Sequence, residues 1–187
     1  MDRHDFTRVV RERAVPWRRV TFLICGDWGR AEDLMQVVLI RLYRQWHRID
    51  ENGLEAYVRR IISRLAVDEA QRAARRGEVL GEVPDLAGTG VAVDEAVSGV
   101  LDVRAALRKV PPRQRAVLVL RFYDELTVAE TATALRISQG TVKSQSARGL
   151  QALQTALGLP VEPDWAPPAR PRPTGHTERR HTERLRG

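Results

Sequence analysis

Residues Thr127–Gln151, TVAETATALRISQGTVKSQSARGLQ, leave room for little besides two helices joined by a tight turn. Thr127 and Glu130 have the spacing of a capping box, in which side chains satisfy the backbone donors left open at a helix start. Ala129, Ala132 and Leu135 then recur at the spacing of one packed face. Arg136-Ile137 makes the turn, and Ser138 is a good N-cap for the second helix. In that helix Val142, Ser146, Leu150 and Leu153 share one side. Ser144, Arg148 and Gln151 point the other way, flanked by Thr141, Lys143 and Gln145. An ordinary amphipathic helix pair would bury the same side. The tight turn and an open face of small, hydrogen-bonding and cationic residues suit the base edges and phosphates of a DNA major groove.

The distribution of charge supports a polyanionic partner. Residues 1–76 carry 16 Lys/Arg against 11 Asp/Glu, and residues 101–157 carry nine against four, so each block has net charge +5. Between them, residues 77–100 carry no Lys/Arg and five Asp/Glu. Two basic modules flank an acidic spacer. Of the 31 cations 29 are Arg, a bias that favours bidentate phosphate contacts and that a GC-rich genome also produces.

No convincing period-two pattern occurs anywhere, so the expected fold class is all-α. Phe6–Cys25 reads as one or two helices, interrupted or kinked near Pro16. Asp27 can cap a helix running to about Trp46; Asn52-Gly53 reads as a turn before a helix from Glu55 to about Arg76. The second block begins near Asp94, and Pro111-Pro112 opens a helix through Ala116–Leu120. The expected organisation is two small helical domains, 1–76 and 101–158, joined by a flexible acidic linker, 77–100. Residues 159–187 are rich in Pro and Arg and poor in apolar surface, and are expected to be a disordered tail. Histidines in its HTER repeat could bind metal, but a solvated basic tail is favoured, and no metal or other cofactor is expected.

Two faces in the first block stand out. On the helix around Asp33–Trp46, Leu34, Val38, Leu42 and Trp46 form the core side, with Asp33, Gln36, Val37, Ile40, Arg41 and Arg44 opposite. Val37 and Ile40, apolar and framed by polar groups, suggest a protein partner. On the next helix Val58, Ile61, Ile62 and Leu65 face the core, and Arg60, Arg64, Gln71 and Arg75 line the other side, with Arg59, Arg72 and Arg76 nearby. Cations gathered on one side with few acids among them favour a nucleic-acid surface over a merely solvated face.

Three segments in this order resemble the extracytoplasmic-function (group IV) sigma factors of the sigma-70 family, in their actinobacterial sigma-E-like branch. Gly26–Trp46, GDWGRAEDLMQVVLIRLYRQW, is similar to the family's region 2.2. Ala56–Arg76 is similar to regions 2.3 and 2.4, and Ala106–Leu150 to region 4, where PPRQRAVLVLRFY and GTVKSQSARGL are specific. The resemblance implies a sigma-2 helical bundle and a sigma-4 helix-turn-helix. It implies that Asp33, Gln36, Val37, Ile40 and Arg44 dock on the β′ clamp helices of core RNA polymerase. Arg59, Arg60, Arg64, Gln71 and Arg75 would meet the promoter −10 element. Thr141, Lys143, Ser144, Gln145 and Arg148 would meet the −35 element, with the second domain on the β flap. The acidic linker would run through the polymerase channel that later holds RNA. An anti-sigma factor is a further implied partner. The chain departs from the family pattern at Val37 (usually Glu), Arg64 (often Asn) and Arg136 (commonly Gly).

Other classes fit less well. A free-standing helix-turn-helix regulator would normally bring a phosphoacceptor or ligand domain, and the first block is helical and basic instead. The sequence lacks a P-loop, a sensibly spaced metal-ligand cluster and a nucleophile constellation, so an enzyme is not expected and no catalytic residue is assigned. His47, beside Trp46, reads as structural. Cys25, the sole cysteine, reads as a small core residue, and a reducing cytoplasm fits. No apolar run approaches the ~20 residues needed to span a bilayer, and no signal pattern begins the chain.

Overall fold

Capping residues set the helix ends. The computed structural model of the chain describes residues 3–78 and 97–160, and every regular element among them is helical. The first half comprises α1 (Arg3–Cys25), α2 (Trp28–Gln45), a 3-10 turn (Trp46–Arg48) and α3 (Glu51–Arg75). The second comprises α4 (Val97–Lys109), α5 (Pro112–Leu118), a π turn (Val119–Tyr123), α6 (Val128–Leu135) and α7 (Gln139–Ala156). Asp27 caps α2 by accepting from the Arg30 amide at 2.9 Å. Thr127 and Glu130 form the full capping box on α6, and Ser138 caps α7 by accepting from the Thr141 amide at 3.0 Å.

α1 runs through Pro16 as one helix, the continuous one of the two expected arrangements, whereas several other local expectations need correction. An interior proline costs about 3 kcal/mol, but buried Val9, Trp17, Val20 and Ile24 fix the helix on both sides of it. Asn52-Gly53 lies inside the first turn of α3, because Asp50 caps that helix by accepting from the Gly53 amide at 2.6 Å. α4 starts at Val97, so residues 97–100 belong to a helix rather than to the spacer. On α6, Ala129 is exposed and Thr131, Ala132 and Ala134 are buried instead. Thr131 can be buried because its hydroxyl donates to the Thr127 carbonyl at 2.8 Å. His47 is exposed rather than packed. Most of the spacer and nearly all of the tail, with its HTER histidines, lie outside the described residues.

The two halves share one apolar core. Ile24, Val38, Leu42, Val58, Ile62 and Ala66 from the first half join Val110, Ala116, Leu118, Val119 and Leu120 from the second in a single cluster. Burying each large aliphatic side chain contributes roughly 1.5–3 kcal/mol. A smaller cluster of Val117, Ala132 and Val142 holds α6 and α7 to α5. Gly149 lets α7 approach α5, since a Cβ there would lie 3.0 Å from Leu118 Cγ and 3.3 Å from Gln114 Cβ.

A buried cation joins the halves. Arg115 is 2% exposed. Its Nε donates to the Ile24 carbonyl at 2.8 Å, Nη2 to the Cys25 carbonyl at 3.5 Å and Nη1 to the Arg108 carbonyl at 3.0 Å. Desolvation lowers its pKa to about 10, which leaves it charged at neutral pH. Beside it the Cys25 thiol is pushed up to about 11, chiefly by burial, and is therefore protonated and unreactive at neutral pH.

Removing that guanidinium strands the α1 carbonyls. Arg115→Ala is expected to lose about 2–4 kcal/mol of stability in urea unfolding, from charge-assisted hydrogen bonds and packing together. It should also speed labelling of Cys25 by a thiol reagent at pH 8. Unchanged labelling would mean that the end of α1 stays covered without Arg115.

Candidate nucleic-acid and partner surfaces

α2 buries Ala31, Met35, Val38 and Leu42, which turns Asp33, Gln36, Val37, Ile40 and Arg44 outward. All five are exposed, with Ile40 at 53% and Val37 at 38%. Tyr43, at 47%, widens the same apolar patch while its ring meets Phe6 edge-on at 5.1 Å. Sequence reasoning missed Tyr43, although it stands seven residues after Gln36 and therefore on the same side of the helix. Phe122 and Tyr123, exposed on the π turn, were missed as well, because a π turn redirects side chains away from helical spacing.

The arginine face of α3 is heterogeneous. Arg60, Arg64 and Arg75 are exposed and form no ion pair among the described residues; the Arg60 guanidinium lies 5.4 Å from the Tyr57 ring centre. Gln71 is half-buried beside them. Arg72 and Arg76 are partly neutralised by Glu69, at 3.3 and 3.2 Å. Glu78 contacts Arg76 and Arg30, whose hydrogen bonds hold its carboxyl down at about 2. The face is therefore less free of acids than its spacing suggested.

Arg59 turns to the second half instead. Its Nε and Nη2 meet the two Asp124 carboxylate oxygens at 2.7 and 3.2 Å. Burial pulls the Arg59 guanidinium down, but its bonds with Asp124 outweigh that and leave its pKa raised. Burial likewise pushes the Asp124 carboxyl up, against the pull of Arg59.

α7 divides its polar residues between two directions. Lys143, Ser144 and Arg148 are exposed, whereas Thr141 and Gln145 are half-buried and line a cleft facing α3. Across that cleft of about 620 Å³ stand Arg60, Arg64 and Gln71. Residues expected at the −10 and −35 elements are thus gathered at one cleft, where Thr141 and Gln145 face α3.

The turn between α6 and α7 explains one departure in the sequence. Arg136 adopts φ 54° and ψ 48°, and the Ile137 amide closes back on the Ala132 carbonyl at 3.0 Å. Left-handed backbone disfavours any residue with a Cβ.

Two family descriptions match the chain: Sigma-70 region 2 over residues 10–76 and Sigma-70, region 4 over residues 106–155. The chain belongs to the sigma-70 family. It is 35% identical over 158 residues to the RNA polymerase sigma-E factor of Streptomyces coelicolor, covering 82% of this chain and 86% of that one. It is 31% identical to the ECF RNA polymerase sigma factor SigX of Bacillus subtilis, over 74% of this chain and 76% of the relative. The fold matches the sigma factor RpoE from Bartonella quintana, solved in complex with the anti-sigma factor NepR. That match has a TM-score of 0.66 at 19% identity and covers 82% of this chain and 97% of the other. Among the described residues no cluster of His, Cys, Asp and Glu could hold a metal ion, and no helix is long and apolar enough to cross a membrane.

Because Arg136 adopts left-handed backbone, Arg136→Gly is expected to stabilise the protein by up to about 1 kcal/mol, strain relief exceeding the added unfolded-state entropy. Thermal unfolding measures it. A destabilised variant would show that the Arg136 side chain supplies contacts worth more than the strain.

Proposed function

We propose a division of labour in which residues 1–76 dock on core RNA polymerase and meet the −10 element, while residues 101–158 meet the −35 element. As a sigma factor the chain directs RNA polymerase to promoters. The observation that best supports the division is the outward α2 face, where apolar Val37, Ile40 and Tyr43 sit among Asp33, Gln36 and Arg44 on a helix whose other side is fully packed. That face docks on the β′ clamp helices, and the second half engages the β flap. The chain itself carries out no catalysis and needs no cofactor. It works in the cytoplasm, where polymerase and promoters are. An anti-sigma factor is a further partner, a reading supported by the NepR complex of the Bartonella RpoE.

Promoter contact requires the halves to part. Arg59 must leave Asp124, and Thr141 and Gln145 must leave the cleft, before either set meets DNA. Core polymerase supplies the platform that holds the halves apart and links two weak DNA contacts into one strong one. Promoter binding should therefore be weak for the free chain and tight with core enzyme. Equal, sequence-specific binding without polymerase would favour an autonomous regulator. Ile40→Asp should weaken core binding with an unchanged melting temperature, since Ile40 is exposed. Loss of fold in that variant would place Ile40 in the core.

Within α7, Gln145 and Lys143 should behave differently once the −35 element is engaged. Glutamine can pair with two atoms on the major-groove edge of adenine, so Gln145→Ala should relax preference at one base pair, with a loss of roughly 1–3 kcal/mol. Lys143→Ala should weaken binding to all variants alike and flatten the salt dependence. Holoenzyme binding across a panel of −35 variants at several salt concentrations separates the two. An unaltered base preference in Gln145→Ala would remove it from direct readout.

A further inference from the structure

We propose that the cleft between α3 and the α6–α7 turn binds a nucleoside polyphosphate when the two halves are together. Arg41, Arg60 and Arg64 line it from the first half, and Arg113 and Arg136 from the second. None of these five forms an ion pair among the described residues, and Asp68 is the only carboxylate in the lining. Bringing cations of both halves to one concavity raises its potential, and a multiply charged anion seated there would relieve the repulsion. Arginine is suited to that task because its planar fork meets phosphate oxygens two at a time.

Size and lining narrow the anion's class. A volume of about 620 Å³ lies within the range of small-molecule sites. Tyr57, Leu135 and Ile137 offer apolar surface for a flat base. Gln145 also lines the cleft, and a side-chain amide can pair with the exocyclic amine of a purine. Phosphates on the arginines and a base against Tyr57 and Gln145 use both parts of the lining. The ligand binds only the closed arrangement, so it stabilises that arrangement by mass action. Competition with promoter DNA for Arg60, Arg64 and Gln145 rests on the DNA surfaces proposed above; the binding site itself does not.

The test is calorimetric titration of the full chain with ATP, AMP and inorganic tripolyphosphate at 0.15 M salt. ATP should bind more tightly than either of the others. Arg41→Ala/Arg113→Ala should weaken ATP binding roughly tenfold or more, as expected for lost charge-assisted phosphate contacts. Arg11→Ala/Arg48→Ala removes the same charge from exposed positions outside the cleft and should change it by less than about twofold. Should the first pair lose its fold by circular dichroism, Arg113→Gln, at an exposed site, gives a smaller loss in the same direction. Equal weakening by the two pairs would reduce the binding to diffuse attraction and overturn the proposal. Tripolyphosphate binding as tightly as ATP would overturn the nucleoside part, since the base would then have no seat. Specific ATP binding that fails to compete with a −35 duplex would uphold the cleft and count against the DNA surfaces.

Discussion

The arrangement of the two halves depends on how the C-terminal end of α1 is closed. A helix leaves its last carbonyls without intrahelical partners, and burying them unpaired is costly. Gly26, at φ 83°, turns the chain and returns its amide to the Phe22 carbonyl at 2.7 Å. Arg115 takes the Ile24 and Cys25 carbonyls from across the interface. This fixes α5 against α1, and Ala116, Leu118, Val119 and Leu120 then enter the shared core. α7 follows α5 because Gly149 and Leu118 hold the two helices in close contact. The direction in which the second half presents Gln145 is therefore set by a guanidinium thirty residues away in sequence.

Electrostatics keep this closure from being one-sided. Arg59 and Asp124 form an ion pair that crosses between the halves, and both remain partly accessible to solvent. Such a pair contributes modestly and weakens as salt rises. Against it stands the repulsion among the cleft arginines, with Asp68 alone to offset them. The apolar core thus supplies most of the closing free energy, while charge modulates it in both directions.

What the sequence revealed and what it hid separate along physical lines. Caps are local, so Asp27, Ser138 and the Thr127–Glu130 box could be read from spacing alone. The outward face of α2 was legible for the same reason, since its periodicity is uninterrupted over five turns. Arg59 looked like its neighbours, and nothing within α3 distinguishes it; its partner Asp124 lies 65 residues away. Arg115 sits in a segment whose composition suggests an exposed first turn, and only the α1 carbonyls make it a buried residue. Ala129 was misplaced because the spacing of Ala129, Ala132 and Leu135 passes over Thr131, whose hydroxyl can be buried by bonding to its own helix.

Closure and promoter contact, in the division of labour proposed above, draw on the same side chains, so they compete. Any free energy favouring the closed arrangement is subtracted from DNA binding by the free chain. A closing preference of about 2 kcal/mol would reduce apparent affinity roughly thirtyfold. A partner that seats the α2 face and the second half at separate points offsets that loss without touching DNA, because α2 presents its proposed docking residues outward while the halves are still together. On that proposal the first encounter with polymerase needs no prior opening. Opening can follow docking, and the arginines of α3 become available where a promoter can be met.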